Sequence, residues 1–275
     1  QRDGLAALLN AFDALRARSR ACVERAIEVL SERARGAGRR GLHSRQTLDD
    51  GWPIEVRVEP RGRRVRIDFT GSGPVHPGSF NAPLAVTRSA VMYAIRVLVE
   101  SIEPTDDRVL PLNDGLLEPV DLIVPEGFLN PPAESGVPVA AGNTETSQRV
   151  VDALLLALGV AACSQGTMNN LVMGGAGWSF YETIAGGLGA TARADGASGV
   201  HAHMTNTRIT DPETLEAHFP LRLRRFAYRR LPGAAAIARD GATPRSSGEP
   251  APPSHATESR EAFGAGISLT ESRPP

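Results

Sequence analysis

The chain has 275 residues and a net charge of −1, so it carries no overall field that would draw nucleic acid or an anionic membrane. No apolar run is long enough to span a bilayer, and no cleavable signal pattern opens the chain. All thirty basic residues are Arg. With no Lys there is neither a Schiff-base amine nor the Gly-Lys-Ser/Thr end of a phosphate-cradling Walker loop. Cys22 and Cys163 lie far apart and outside any CxxC pair, which predicts a reduced, cytoplasmic setting.

From Leu5 to Ser31 apolar residues recur three and four apart: Leu5, Leu8, Leu9, Phe12 and Leu15, then Val23, Ile27 and Leu30. That spacing predicts one amphipathic helix, bent near Ser19. RARGAGRRGLHSR is a polar link. IEVRVEPRGRRVRIDFTGSGP alternates apolar and charged residues on either side of PRGR, which predicts a β-hairpin. Val56, Val58, Val65, Ile67 and Phe69 face its core. Pro83 opens a largely buried helix, PLAVTRSAVMYAIRVLVESI. A Pro- and Asp-rich loop over 104–119 leads to a short strand, VDLIVPEG, and then to the irregular LNPPAESGVPVAAGN. Thr146 or Ser147 stands where it can cap the helix QRVVDALLLALGVAA. The small-residue run 164–199 predicts short strands joined by tight glycine turns. Asp211-Pro212-Glu213 reads as a helix N-terminus and LRLRRFAYRR as a strand. After about Leu231 large apolar residues thin out and periodicity ends, which predicts disorder. The expected fold class is α+β: helices packed on a mixed, largely antiparallel sheet, with one domain over 1–230 and a disordered C-terminal tail over 231–275.

Residues 143–208 are dense in small polar side chains, among them Asn143, Thr144, Glu145, Asn169, Asn170, Glu182, Asp195 and Asn206. Buried amides and hydroxyls need partners. They either satisfy one another and cap turns, or they line a substrate site. In SGVHAHMTNTR, His201 and His203 fall on one face of a strand. His-x-His on a strand can place two imidazoles on a metal, and Asp195 or Glu182 can add a carboxylate or orient an imidazole. The alternative is a pair of ordinary hydrogen-bonded histidines. Cys163 ends an apolar helix, as a small buried hydrophobe does. The GGAG and GGLG runs lack the strand and helix setting of a phosphate loop. Arg88, inside an apolar helix, calls for a carboxylate partner or an anion.

Six strings, DFTGSGPVHPGSFNAPLAVTRSAV, PLNDGLLEPVDLIVPEGFLNP, GNTETSQRVVDALLLAL, SQGTMNNLVMGG, YETIAGGLGA and DGASGVHAHMTNTRITDPETLEAHFPLR, occur in the order of the hydantoinase B/5-oxoprolinase family. Together they resemble it from about Asp3 to Arg229. The resemblance implies ATP-dependent opening of a cyclic amide, 5-oxoproline or a hydantoin, with ATP used by a hydantoinase A–type partner subunit. It implies a base or metal-bound water to attack the ring carbon, and donors for the oxyanion. On that chemistry the candidate catalytic residues are His201, His203, Glu182 and Asp195. The candidate substrate-binding residues are Arg88, Asn143, Thr144, Glu145, Asn169, Asn170 and Asn206. Family members also carry an N-terminal region with a stretch of the type NDPYxGGTHxxD, which resembles a metal site and is not in this sequence. The expectation is therefore a partial chain, with the main ligands of a divalent metal in that region. An acetone-carboxylase-like large subunit and an inactive assembly module are the alternative expectations. The family's glycine-rich continuation after LRLRRFAYRR is replaced here by PGAAAIARDGATPRSSGE, and the expectation is a shift of coding frame near residue 230, which the coding DNA would test.

Overall fold

A computed structural model describes residues 2–102, 110–228 and the backbone of 265–271. The chain divides into two compact units, Gln1–Val160 and Ala161–Pro275.

The first unit opens with α1 (Arg2–Gly36), followed by β1 (Leu42–Thr47), β2 (Pro53–Arg61) and β3 (Arg64–Asp68). Then come α2 (Leu84–Ile102), β4 (Val120–Ile123) and α3 (Ser147–Leu158). The strands form one sheet in the order β1-β2-β3-β4. β1, β2 and β3 run antiparallel, and β4 joins β3 in parallel. The predicted hairpin is present, with Val58 opposite Ile67. Val56, Val58, Val65, Ile67 and Phe69 are all buried, as the period of two requires. The helices close that core with Val23, Ile27 and Leu30 from α1, Val91, Ile95 and Leu98 from α2, and Val150, Val151 and Leu154 from α3. Inside the sheet edge the Ser44 hydroxyl donates to the carbonyl of Ala153 at 2.6 Å.

α1 is longer than the apolar pattern predicts and continues unbroken through Ser19 to Gly36. Ser19 is fully buried and its hydroxyl donates to the Pro111 carbonyl. The predicted cap of α3 is not formed. Thr146 is itself helical, with φ −62° and no side-chain cap bond. A π-helical turn, Gly142–Thr146, leads straight into the helix. The hydroxyls are used elsewhere: Thr146 Oγ1 donates to Phe80 O, and Ser147 Oγ donates to Asn143 O. Left-handed Gly159 (φ 67°) ends α3.

The second unit holds the hairpin β5 (Asn169–Gly175) and β6 (Trp178–Ile184), turned at Gly177 with φ 84°. Two two-residue strands follow, β7 (Gly187–Leu188) paired with β8 (Ala197–Ser198). α4 (Pro212–His218) begins at Asp211, whose side chain accepts from Thr214 N–H as predicted. That bond heads the causes that hold the Asp211 carboxyl below its ordinary value. Phe180, Leu215 and Leu221 form the unit's core, with Leu171, Met173, Trp178 and Phe219 against it. β9 (Leu221–Tyr228) pairs antiparallel with β10 (Ala265–Glu271). Seven residues of the expected tail, 265–271, take part in that pairing through their backbone. The remainder of 231–275 lies outside the described residues. The α+β class stands, with β3–β4 the parallel pair.

Candidate functional site

In the first unit, three of the predicted substrate-binding residues, Asn143, Thr144 and Glu145, sit together on the π-helical turn. Such turns store an extra residue in the helix and recur at functional sites. The turn is fixed from below. The Ala141 carbonyl accepts from the amides of Thr144, Glu145 and Thr146, and Ala141 N–H donates to Ser79 O. A Cβ on Gly142 would stand 2.2 Å from the Asn81 carbonyl oxygen, so only glycine fits. Asn81 is fully buried. Its Nδ2 donates to the carbonyls of His76, Gly78 and Pro138, and its Oδ1 accepts from His76 N–H. One side chain thus replaces the backbone ladder that an irregular loop lacks.

His76 sits behind the same loop, 6% exposed at the side chain. Its Nδ1 accepts from Gly78 N–H at 2.8 Å. Nε2 therefore carries the proton and donates to Asp50 Oδ2 at 2.6 Å. Trp52 and Phe80 stand edge-on to the ring at 4.7 and 5.1 Å. The bond from His76, reinforced by the Trp52 amide, holds the Asp50 carboxyl below its ordinary value, while partial burial opposes it. Next to this group Arg149 Nη2 lies 3.4 Å from Asp49 Oδ1 and 3.6 Å from Glu145 Oε1. Arg149 Nε is buried without a hydrogen-bond partner among the described residues. Sequence reasoning singled out none of His76, Asp50, Asn81 and Arg149. The available signal was their place in or beside the quoted motifs, since no periodicity marks a loop residue.

Arg88 is placed on the exposed side of α2, 52% exposed, with Nη2 3.4 Å from Asp114 Oδ1. The structure gives it the carboxylate partner that was one of its two expected roles.

In the second unit the polar residues divide between two faces. Asn170 Oδ1 accepts from the Tyr181 hydroxyl at 2.9 Å and from Thr183 Oγ1 at 3.2 Å. Glu182 lies between those two residues on β6 and faces the other way, opposite Leu171. Its Oε1 accepts from the backbone N–H of Thr210. Asn169, opposite Ile184, shares the face of Glu182. Asp195 and Asn206 are exposed in loops.

His201 and His203 do not share a strand. Both lie outside the named strands, so the argument that one strand face presents two imidazoles fails. The chain turns instead between Ala202 and Thr205. Thr205 N–H and Oγ1 both donate to Ala202 O, and Ala202 N–H donates to Thr205 Oγ1. His203 occupies this turn with φ 54°, a left-handed conformation uncommon outside glycine. His201 Nε2 lies 3.3 Å from Thr207 Oγ1, and its Nδ1 is buried with no hydrogen-bond partner among the described residues. Among the described residues no three His, Cys, Asp or Glu side chains gather to hold a metal ion. These residues therefore do not form the ligand set that a divalent cation needs. Cys163 is exposed and lies beyond the end of α3, which corrects its expected burial. The helix stops at Gly159, four residues earlier.

The profile of the hydantoinase B/oxoprolinase family matches residues 1–236. The chain belongs to the hydantoinase B/oxoprolinase family. Among its relatives, 5-oxoprolinase 1 of Arabidopsis thaliana is 43% identical over 196 residues, covering 70% of this chain and 15% of the plant protein. The uncharacterized protein MJ0963 of Methanocaldococcus jannaschii is 37% identical over 194 residues, 68% of this chain and 33% of that protein. The chain thus spans about a seventh to a third of these relatives' lengths. An ATP-dependent caprolactamase from Pseudomonas jessenii shares the fold with a TM-score of 0.56 at 21% identity, over 74% of this chain and 38% of that one. An acetone carboxylase does so with a TM-score of 0.52 at 18% identity, over 65% of this chain and 25% of that one.

Proposed function

We propose that this chain is the B-type component of an ATP-dependent cyclic amidohydrolase that opens 5-oxoproline or a hydantoin ring. The observation that carries the reading is the orphaned Nδ1 of His201. A buried imidazole nitrogen without a partner costs free energy unless a ligand or water completes it. Thr207 Oγ1 lies 3.3 Å from Nε2; in the tautomer that carries the proton on Nε2, Nδ1 holds a free lone pair and serves as general base.

In this reading a hydantoinase A–type subunit uses ATP to phosphorylate the amide oxygen of the ring. Water adds to the activated carbon while His201 Nδ1 takes its proton. His201 returns that proton to the ring nitrogen. The adduct then collapses, with the C–N bond breaking and the hydroxyl proton passing to the departing amine. This leaves an acyl phosphate that a second water hydrolyses to carboxylate and phosphate. Amide donors from Asn169 and Asn206 stabilise the developing oxyanion. Glu182 holds Thr210 at the margin of the site. The principal ligands of a divalent metal are assigned to family polypeptide outside this sequence, and no step above runs through them. The setting is the cytoplasm.

Support comes from family membership and from relatives named 5-oxoprolinase. The test is co-expression with an A-type subunit encoded beside this gene and an assay of ATP-dependent glutamate release from 5-oxoproline. His201→Ala should lower kcat by about 100-fold or more, while His203→Ala should leave most of it. Full activity in His201→Ala would remove the imidazole from the mechanism.

A further inference from the structure

The C-terminal end of α1, the link to β1 and the turn between β2 and β3 enclose a cleft of about 510 Å³. Four arginines line it, Arg35, Arg39, Arg40 and Arg61, against one carboxylate, Glu59. The whole chain has a net charge of −1, so this excess of positive charge is local. Glu59 is taken by Arg61, with Oε2 2.6 Å from Nη2. Arg35, Arg39 and Arg40 have no carboxylate within 4.0 Å among the described residues. Other exposed arginines of the unit, such as Arg16 and Arg63, are paired with Glu118 and Glu24.

Folding does not use these guanidinium groups. An arginine near a helix C-terminus can serve by donating to the last carbonyls. Here the backbone closes them itself. Gly38, left-handed at φ 67°, donates its N–H to Arg35 O at 2.9 Å, and Arg39 N–H donates to Ala34 O at 2.8 Å. That pair of bonds fixes where Arg39 leaves the helix. The helix dipole favours a cation in the last turn, where Arg35 lies, but fades beyond it, where Arg39 and Arg40 stand. The opposite wall is held by Ser31, which is buried and whose Oγ accepts from Gly62 N–H at 3.1 Å. The walls of the cleft are thus set by the fold itself, before any ligand enters.

We propose that the cleft binds a chain of adjacent phosphates, as in inorganic pyrophosphate or tripolyphosphate, or in a nucleoside triphosphate. Guanidinium forks take phosphate oxygens in pairs of hydrogen bonds and stay charged at physiological pH. A lone carboxylate offers a single charge to three unpaired cations, whereas each phosphate of a chain adds one. The volume lies within the range of small-molecule sites, about 300–1,000 Å³. No aromatic side chain among the described residues lines the cleft, so a nucleobase or a single-stranded nucleic acid finds no ring to stack on. The phosphates alone are read. The cleft belongs to the first unit and His201 to the second, and the assignment is independent of the ring-opening reaction.

The test is calorimetric titration of the full chain without added divalent metal, at low ionic strength, where exposed charges are least screened. Tripolyphosphate should bind at least about 10-fold tighter than orthophosphate or sulfate. Equal binding of all three overturns the proposal, because the cleft is then a general anion patch. ATP should bind within about 10-fold of tripolyphosphate and be displaced by it; tighter binding than that means that the base is read, which overturns recognition by phosphate alone. A single-stranded oligonucleotide that binds tighter than tripolyphosphate overturns it too, since nucleic acid is then the occupant. Arg39→Ala with Arg40→Ala should weaken tripolyphosphate by about 10-fold at an unchanged thermal midpoint. Arg193→Ala, in a loop of the second unit, should change nothing; an equal loss there, or none in the double variant, overturns the site. Glu59→Gln removes the one negative charge of the lining and should tighten binding. If the double variant does not fold, Glu59→Gln decides, and weaker or unchanged binding then overturns the proposal.

Discussion

His76 and Asp50 are joined through Nε2 and Oδ2 at 2.6 Å, and the other nitrogen of His76 is closed by Gly78 N–H at 2.8 Å. With both ring nitrogens occupied, His76 braces its loop and has no lone pair left for proton transfer. It contrasts with His201, whose Nδ1 has no partner. Asp50→Asn should cost about 1 kcal/mol in chemical denaturation at neutral pH. The Asp50 carboxyl is held below its ordinary value. Its stabilisation is therefore complete above the unfolded-state value near 3.8 and is lost as pH falls through the lower folded-state value. The gap in stability between wild type and Asp50→Asn should close over that acid range, as followed by denaturant midpoints against pH.

Gly142 is the point of closest approach between the π-helical turn and the loop carrying Asn81. A methyl group there meets backbone at 2.2 Å, and neither segment can yield without breaking the bonds of Asn81. Gly142→Ala should destabilise by about 3 kcal/mol, measured by denaturant unfolding. A loss under about 0.5 kcal/mol would show that the two segments are not locked together.

Asn81→Leu keeps most of the volume and removes the amide. It leaves three carbonyls and the His76 N–H without their side-chain partner in a buried setting. The expected cost is about 2–4 kcal/mol. Hydrogen exchange at His76 N–H should accelerate toward the rate of an open loop.

His203 holds φ 54°, where a β-carbon is strained. His203→Gly should be neutral or stabilise by up to about 1 kcal/mol. With activity largely retained, this variant would separate turn geometry from chemistry at His201. A large loss of both stability and activity would instead give the His203 side chain a role of its own.

Arg88 and Asp114 are 52% and 70% exposed at the side chain. Arg88→Ala should change stability by less than about 0.5 kcal/mol. A rise in KM for the ring substrate with stability unchanged would support the substrate-binding role assigned to Arg88 by the sequence reading.

The sequence by itself determined the family and most of the regular elements, although β1 (Leu42–Thr47) begins within what reads as a polar link. Alternation around PRGR placed Val56, Val58, Val65, Ile67 and Phe69 in the core, because side chains on a strand change face at every residue. Asp211 capped its helix as its spacing to Thr214 requires. Motif order identified the hydantoinase B/oxoprolinase family without any coordinates. The tertiary structure decided what local pattern cannot encode. Thr146 lost its role as a cap because Phe80, distant in sequence, offers its hydroxyl an acceptor. Asn170 and Glu182 were parted by the pleat of a hairpin whose register no single segment specifies. His201 and His203, alike on paper, were separated by one turn closed through Thr205. That turn leaves one imidazole in a strained backbone position and gives the other a buried, unpaired nitrogen.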